Sequence, residues 1–285
     1  MMIHRRSTWT GAVLSAVFAL VFTLAAHADE LREEFHQTYP LAVNGQVMLA
    51  NINGNVQITA WDRNEVKVDA VKRAVSKERL NEAKIVVETH PDSINIKTEY
   101  PRHDNTFTWG HHDNPASVEY TVMVPRTARL QRINLVNGDL KVQGAANDVH
   151  ADAVNGHIEA VGLIGHVDLS TVNGPLNATF DRLSTNTVKL NSVNGSLTLT
   201  LPSNAEAEIS ATTVNGHISN DFGLPVRDHR YVGHDLRGKL GNGGTRVSLN
   251  NVNGAIDVRH AADGKPLSKG RSTLGPGNED GDSRL

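Results

Sequence analysis

VHADAVNGHIEAVGLIGHVDLSTVNGPLNATFDRLSTNTVKLNSVNGSLTLT, residues 149–200, carries the tetrapeptide Val-Asn-Gly-x three times. Its Asn residues are Asn155, Asn173 and Asn194, so the unit returns after 18 and then 21 residues. Between the copies, apolar and polar residues alternate. Val149, Ala151 and Ala153 precede Asn155, and Ile158 and Ala160 follow it. Val167, Leu169 and Thr171 precede Asn173, and Leu176 and Ala178 follow. Period two is the mark of a half-buried strand, so each repeat holds two strands meeting at a tight Asn-Gly corner.

The same signal extends in both directions. Val- or Ile-Asn-Gly also occurs at Asn44, Asn53, Asn137, Asn215 and Asn253. From Asn137 onward the spacings are 18, 18, 21, 21 and 38, and the last requires an insertion. Three residues after each Asn stands an aliphatic residue, and two further on usually another, with Asn220 as the break in that row.

Asn-Gly is a strong hairpin signal, because both residues tolerate positive φ in a type I′ turn, and an antiparallel meander would use it that way. A β-solenoid uses it as the corner of a coil. A meander has no reason to return one tetrapeptide every 18–21 residues. A solenoid does, because equivalent positions stack about 4.8 Å apart and like side chains bond up the stack. The fold expected is therefore all-β, a β-solenoid with Val-Asn-Gly coils. Asn53, Asn137, Asn155, Asn173, Asn194, Asn215 and Asn253 are then structural corner residues that form a ladder.

The two ends read differently. Arg5 and Arg6 precede an uncharged run from Gly11 to Ala26, and Ala26-His27-Ala28 places small residues where a signal peptidase reads. Sixteen helical residues would span only about 24 Å, short of a hydrocarbon core of roughly 30 Å. Residues 1–28 are expected to be a cleaved signal peptide, giving a protein exported to the periplasm or cell surface, with no integral membrane segment after cleavage. Losing the two arginines takes the formal charge from −3 to −5, and no basic cluster points to nucleic acid. Cysteine is absent, which excludes disulfides, thiolate metal sites and a lipidated N-terminal Cys. Residues 259–285 are rich in Gly, Ser, Pro and charge and read as a disordered tail.

The Val-Asn-Gly-x-[Leu/Ile/Val] coils, with NINGNVQITAWDRNEVKVDAVKRA (51–74), ASVEYTVMVP (116–125) and LRGKLGNGGTRVSLNNVNGAI (236–256), resemble a bacterial domain-of-unknown-function family of β-strand-repeat "putative adhesin" proteins. The resemblance covers roughly Phe35 to Val258. It implies a fold similar to a right-handed parallel β-helix, and it brings no catalytic residues with it.

Residues 29–125 are a less regular β-rich part, and 126–258 the regular coils. Strands are expected at Val47–Leu49, Val56–Ala60, Val66–Val71, Ile85–Val87, Ile94–Ile96 and Val118–Val124, and a short helix with Ser76 as its N-cap. Hairpins of this part would cover the first solenoid edge, and the end at Val258 shows no cap. Residues 102–115 and 221–245 read as long loops.

The first loop holds His103, Asp104, His111, His112 and Asp113, proper metal ligands in a spacing that matches no metal signature. Its Trp109 and Phe107 would either stack on a sugar or pin the loop to the sheet. The second holds His229, Tyr231, His234 and Asp235, a weak polar ligand site. GKLGNGG (238–244) lacks the Lys-Ser/Thr ending and helix of a phosphate loop and reads as a corner. Glycoside hydrolysis needs two carboxylates about 5–9.5 Å apart, and Asp152 with Asp168 is the one pair that neighbouring coils might bring together. Solvated ladder charge is the plainer reading of both.

The function expected is a non-enzymatic binding or scaffold protein of the cell envelope, adhesin-like and without cofactor. Its partner would be an envelope polysaccharide or an envelope protein. A polysaccharide-acting enzyme and an envelope sensor are the alternatives.

Overall fold

A computed structural model describes residues 30–101, 115–184, 187–229 and 232–274. Two sheets of 10 and 12 strands face each other, and their inward side chains form one continuous core. Eight two-strand coils, numbered here along the stack, build most of both sheets. Coil 1 is Ser93–Glu99 with Ser117–Pro125, and coil 2 is Gln46–Asn53 with Val56–Trp61. Coils 3 to 6 are Arg129–Asn137 with Leu140–Gln143, Val149–Asn155 with Ile158–Leu163, Val167–Asn173 with Leu176–Phe180, and Thr187–Asn194 with Leu197–Leu201. Coil 7 is Thr245–Asn253 with Ile256–His260, and coil 8 is Ala207–Asn215 with Ile218–Asn220.

Neighbouring coils pair in parallel and stay in register through the Asn-Gly corners, with register shifts only where Arg129–Asn137 meets its two neighbours and where Ile158–Leu163 meets Leu176–Phe180. Leu169 lies beside Ala151 and Leu190, and Leu176 beside Ile158 and Leu197. Each is fully buried, and each such side chain contributes about 1.5–3 kcal/mol of apolar burial. The parallel ladder excludes the hairpin meander.

The corners show why the tetrapeptide repeats. Strand pairing sets each corner glycine directly on the one before it. A Cβ on Gly156 would lie 2.1 Å from the Gly138 oxygen, and one on Gly174 would lie 2.2 Å from the Gly156 oxygen. Only glycine fits, and φ of +149° and +140° at these two adds a second reason. None of the Asn residues of the stacked corners has positive φ, so the type I′ turn that a hairpin meander would use is not formed there. Asn44 is the exception, with φ of 60°, and it lies in the turn leading into coil 2 rather than in the stacked row.

Chain order and spatial order differ at both ends. Coil 1 follows coil 2 in sequence, and coil 8 precedes coil 7. The solenoid therefore does not end at Val258, which lies inside the stack between Leu199 and Asn220. After coil 8 the chain turns back, and His234–Leu240 runs antiparallel along Ala207–Thr213. This return strand occupies the outer edge, so the following coil must enter between coils 6 and 8.

Phe222 and Leu224, both buried, close the end of the core. Asn220, the polar break in the inward row, bonds the Leu224 nitrogen and oxygen at 2.8 Å each and folds that plug back. The segment 221–245, expected as a loop, thus holds two cap strands, Val226–Asp228 and His234–Leu240.

The segment from residue 259, expected as a disordered tail, holds strand residues as well. Arg259 and His260 complete coil 7, and Gly270–Ser272 pairs antiparallel with Gly238–Leu240. Ser203 holds the crossing: its hydroxyl donates to the Ala261 oxygen at 2.7 Å, and its carbonyl accepts from Ser268 N at 2.8 Å.

At the opposite end, Leu31–Pro40 and Glu65–Ala74 cap one sheet and Lys84–His90 the other, all antiparallel. Helix Lys77–Glu82 is capped by Ser76, whose hydroxyl accepts from Arg79 N at 3.3 Å. Beneath this cap, Tyr120 Oη meets Thr98 Oγ1 at 2.7 Å. The Thr98 hydroxyl lies 2.9 Å from Asn51 Oδ1, and Asn51 Nδ2 donates to the Val118 oxygen at 2.8 Å.

Candidate binding face

At each corner the pleat breaks. Ala153 points inward and Asp152 outward, but Val154 and Asn155 are both exposed before Gly156 turns the chain and Ile158 points inward again. Seven coils in register, coils 2 to 8, turn this local event into rows.

The Asn row is a hydrogen-bonded ladder. Asn137 Nδ2 donates to Asn53 Oδ1, Asn155 to Asn137, Asn173 to Asn155 and Asn194 to Asn173, each at 2.9 Å. Asn253 then donates to Asn194 at 2.8 Å and Asn215 to Asn253 at 2.9 Å. All the amides point the same way, an arrangement in which hydrogen bonds polarise one another. Behind it, buried polar side chains satisfy corner carbonyls: Thr213 Oγ1 bonds the Gly254 oxygen at 3.0 Å and Asn251 Nδ2 the Gly195 oxygen at 2.8 Å.

The residue before each Asn forms a second row: Ile52, Val136, Val154, Val172, Val193, Val252 and Val214, all 39–42% exposed. Beside it runs a groove of about 660 Å³. Val136, Val154, Val172, Val193 and Val252 form one wall. Asn134, Asp152, Ser170, Asn191 and Asn250 form the other, and the floor is the chain at Leu135, Ala153, Thr171, Ser192 and Asn251. The lining surface is mostly apolar. Sequence reading gave these valines no role, although the signal was present. With Val149, Ala151 and Ala153 inward, residue 154 falls in the outward phase, and an aliphatic residue holds that phase in every stacked repeat.

The other sheet carries a smaller polar hollow of about 390 Å³. Lys141 pairs there with Glu159 at 3.0 Å, and His157 meets Asn177 at 2.9 Å.

Asp152 and Asp168 do not form an open carboxylate pair. Asp152 lies beside Ser170 and Asp168 beside His150. The His150 ring stands between them, 3.3 Å from Asp152 and 4.0 Å from Asp168. His229 and His234 belong to the cap hairpin and meet different carboxylates, Asp235 and Asp228, at 2.6 Å each. Tyr231 lies outside the described residues, as do His103, Asp104, Phe107, Trp109, His111, His112 and Asp113 and the expected signal peptide. Among the described residues, no group of three His, Asp or Glu side chains converges as a metal would require, and no helix is long and apolar enough to cross a membrane.

Two facing sheets of stacked parallel coils, with a repeated corner and an apolar groove along it, define a β-solenoid-like repeat protein. The chain belongs to the family described as Toastrack DUF4097, which matches residues 45–259. Among solved structures, it is similar to a "putative cell adhesion protein" from Clostridium sporogenes, with 13% identity and a TM-score of 0.45 over 80% of this chain and 100% of that one. It is also similar to a "putative adhesin" from Bacteroides fragilis, with 12% identity and a TM-score of 0.40 over 80% and 97%. Comparison with curated proteins finds no match.

Proposed function

We propose that this protein is an exported, non-enzymatic binding or scaffold protein of the cell envelope, and that the valine-walled groove is its working surface. The observation that carries the reading is the groove itself: an apolar channel crossing five coils, whereas the exposed valines outside this row among the described residues, Val43, Val75 and Val232, are scattered. Apolar surface in a continuous strip marks an interaction site. The absence of catalysis is supported by the carboxylates of the coil faces, which are not left as an open pair: Glu159 pairs with Lys141, and Asp152 and Asp168 flank the His150 ring. Export is supported by the sequence of residues 1–28.

The test is co-sedimentation of the purified mature chain with isolated envelope fractions, with free reducing ends counted in the same tube. Saturable sedimentation without new reducing ends is expected. New reducing ends would replace this reading with a polysaccharide-acting enzyme and direct attention to Asp152 and Asp168. No sedimentation with any fraction would remove the envelope-binding function.

A further inference from the structure

We infer that the groove receives a second copy of this chain, the valine ridge of each copy seated in the groove of the other. The inference rests on the reading of this face as the working surface and names its partner.

Ridge and groove lie side by side on every rung, one residue apart, as Val154 beside Ala153 and Val172 beside Thr171. A half-turn about a line between them, parallel to the stack, lays each ridge over the other copy's groove. The contact is thus isologous, the usual form of a homodimer interface. Because the axis follows the stack, like rungs meet like rungs and no register must be chosen.

The flanking rows complement each other under the same operation. The row Asn134, Asp152, Ser170, Asn191, Asn250 of one copy falls beside the Asn ladder of the other. Each donating ladder amide commits one N–H to its neighbour, and a carboxamide has two. These donating side chains are exposed, and in the dimer the second N–H donates to the Asp152 carboxylate or the Ser170 hydroxyl of the other copy. Asp152 is the one charged residue in these rows, and it meets an amide, so no like charges face.

The area sets the strength. The groove crosses five rungs about 4.8 Å apart, which span about 19 Å, and four residues across span about 13 Å, roughly 250 Å² in plan. A standard dimer buries about 800 Å² per partner and weak, transient pairs under about 600 Å². The dimer is therefore weak and reversible.

Sedimentation equilibrium of the mature chain over about a hundredfold concentration range reads it directly. The mean mass is expected to rise toward twice the monomer. Val172→Lys, at the middle rung, should hold it at the monomer, while Val75→Lys, exposed far from the strip, should behave as the parent. The chain has no cysteine, so Val172→Cys offers a second reading: oxidation should cross-link it well above a Val75→Cys control. A parent that stays monomeric throughout, or a Val172→Lys chain that associates as the parent does, overturns the inference.

The envelope assay separates the two readings. A monomeric parent that sediments, with Val172→Lys losing sedimentation, leaves the groove as an envelope site and removes the dimer. A dimeric parent whose Val172→Lys variant is monomeric yet sediments normally keeps the dimer and moves envelope binding off this face.

Discussion

Asn253 donates its side-chain N–H to Asn194 Oδ1 at 2.8 Å across 59 residues of chain, and Asn215, which lies between them in sequence, bonds Asn253 from the far side. The ladder follows the stack rather than the chain. Asn194→Ala removes two rungs of it, the bonds to Asn173 and from Asn253, whereas Asn215→Ala removes the one to Asn253. At about 0.5–1.5 kcal/mol for each net hydrogen bond, the first substitution should cost about twice the second. Urea midpoints of the two variants check this, and equal losses would mean that the ladder contributes little.

Glycine at the corners is demanded by the neighbouring coil. Gly174→Ala should cost ~3 kcal/mol or more, because its Cβ meets the Gly156 backbone, which has no room to yield. Gly223→Ala is the control: its φ is +67°, but nothing lies within 4 Å of the new methyl, so only the left-handed strain of about 1–2 kcal/mol remains. Similar melts for the two would show that backbone conformation, not stacking, fixes the residue.

Leu176 and Leu197 are adjacent in one inward row and fully buried. Aspartate at either position would place an unpaired charge in the core, and a loss above about 4 kcal/mol is expected. Circular dichroism should show an unfolded chain for both. A native melt for either would contradict the inward assignment of the row.

Burial pushes Tyr100 and Tyr120 up to about 12 from an ordinary value of 10.0. An unfolded chain would ionise these phenols first. Their contribution is therefore fully present below pH 10, and it is lost as pH rises toward about 12. Alkaline unfolding in that window is expected. The double change Tyr100→Phe with Tyr120→Phe should move its midpoint upward, even though the hydrogen bonds to Ala116 O and Thr98 are lost. An unmoved midpoint would place the alkaline transition elsewhere.

Much of this fold is legible from the sequence because a stacked coil repeats its own environment. Ile158, Leu176 and Leu197 face the same neighbours, so the same residue type recurs and period two shows through. The end caps are not legible in that way. Leu31–Pro40 is an edge strand with both faces largely exposed, so it carries no alternation. His234–Leu240 breaks the pattern at Gly238, where a Cβ would lie 2.4 Å from Leu224 Cδ2, a contact that no local pattern announces. The valine ridge was legible in phase but not in consequence. Only the stack shows that seven isolated positions form one surface.

The sequence by itself determined the coil: two strands, inward aliphatics, an Asn-Gly corner and its spacing. These are local rules of pleat and turn, and each repeat states them again. The order of the coils was decided only in the tertiary structure. Asn215 and Asn253 carry the same local signal, and nothing within either repeat says which is outermost. That choice belongs to the antiparallel return of His234–Leu240, which needs the free edge of coil 8 for its backbone hydrogen bonds and thereby places coil 7 inside.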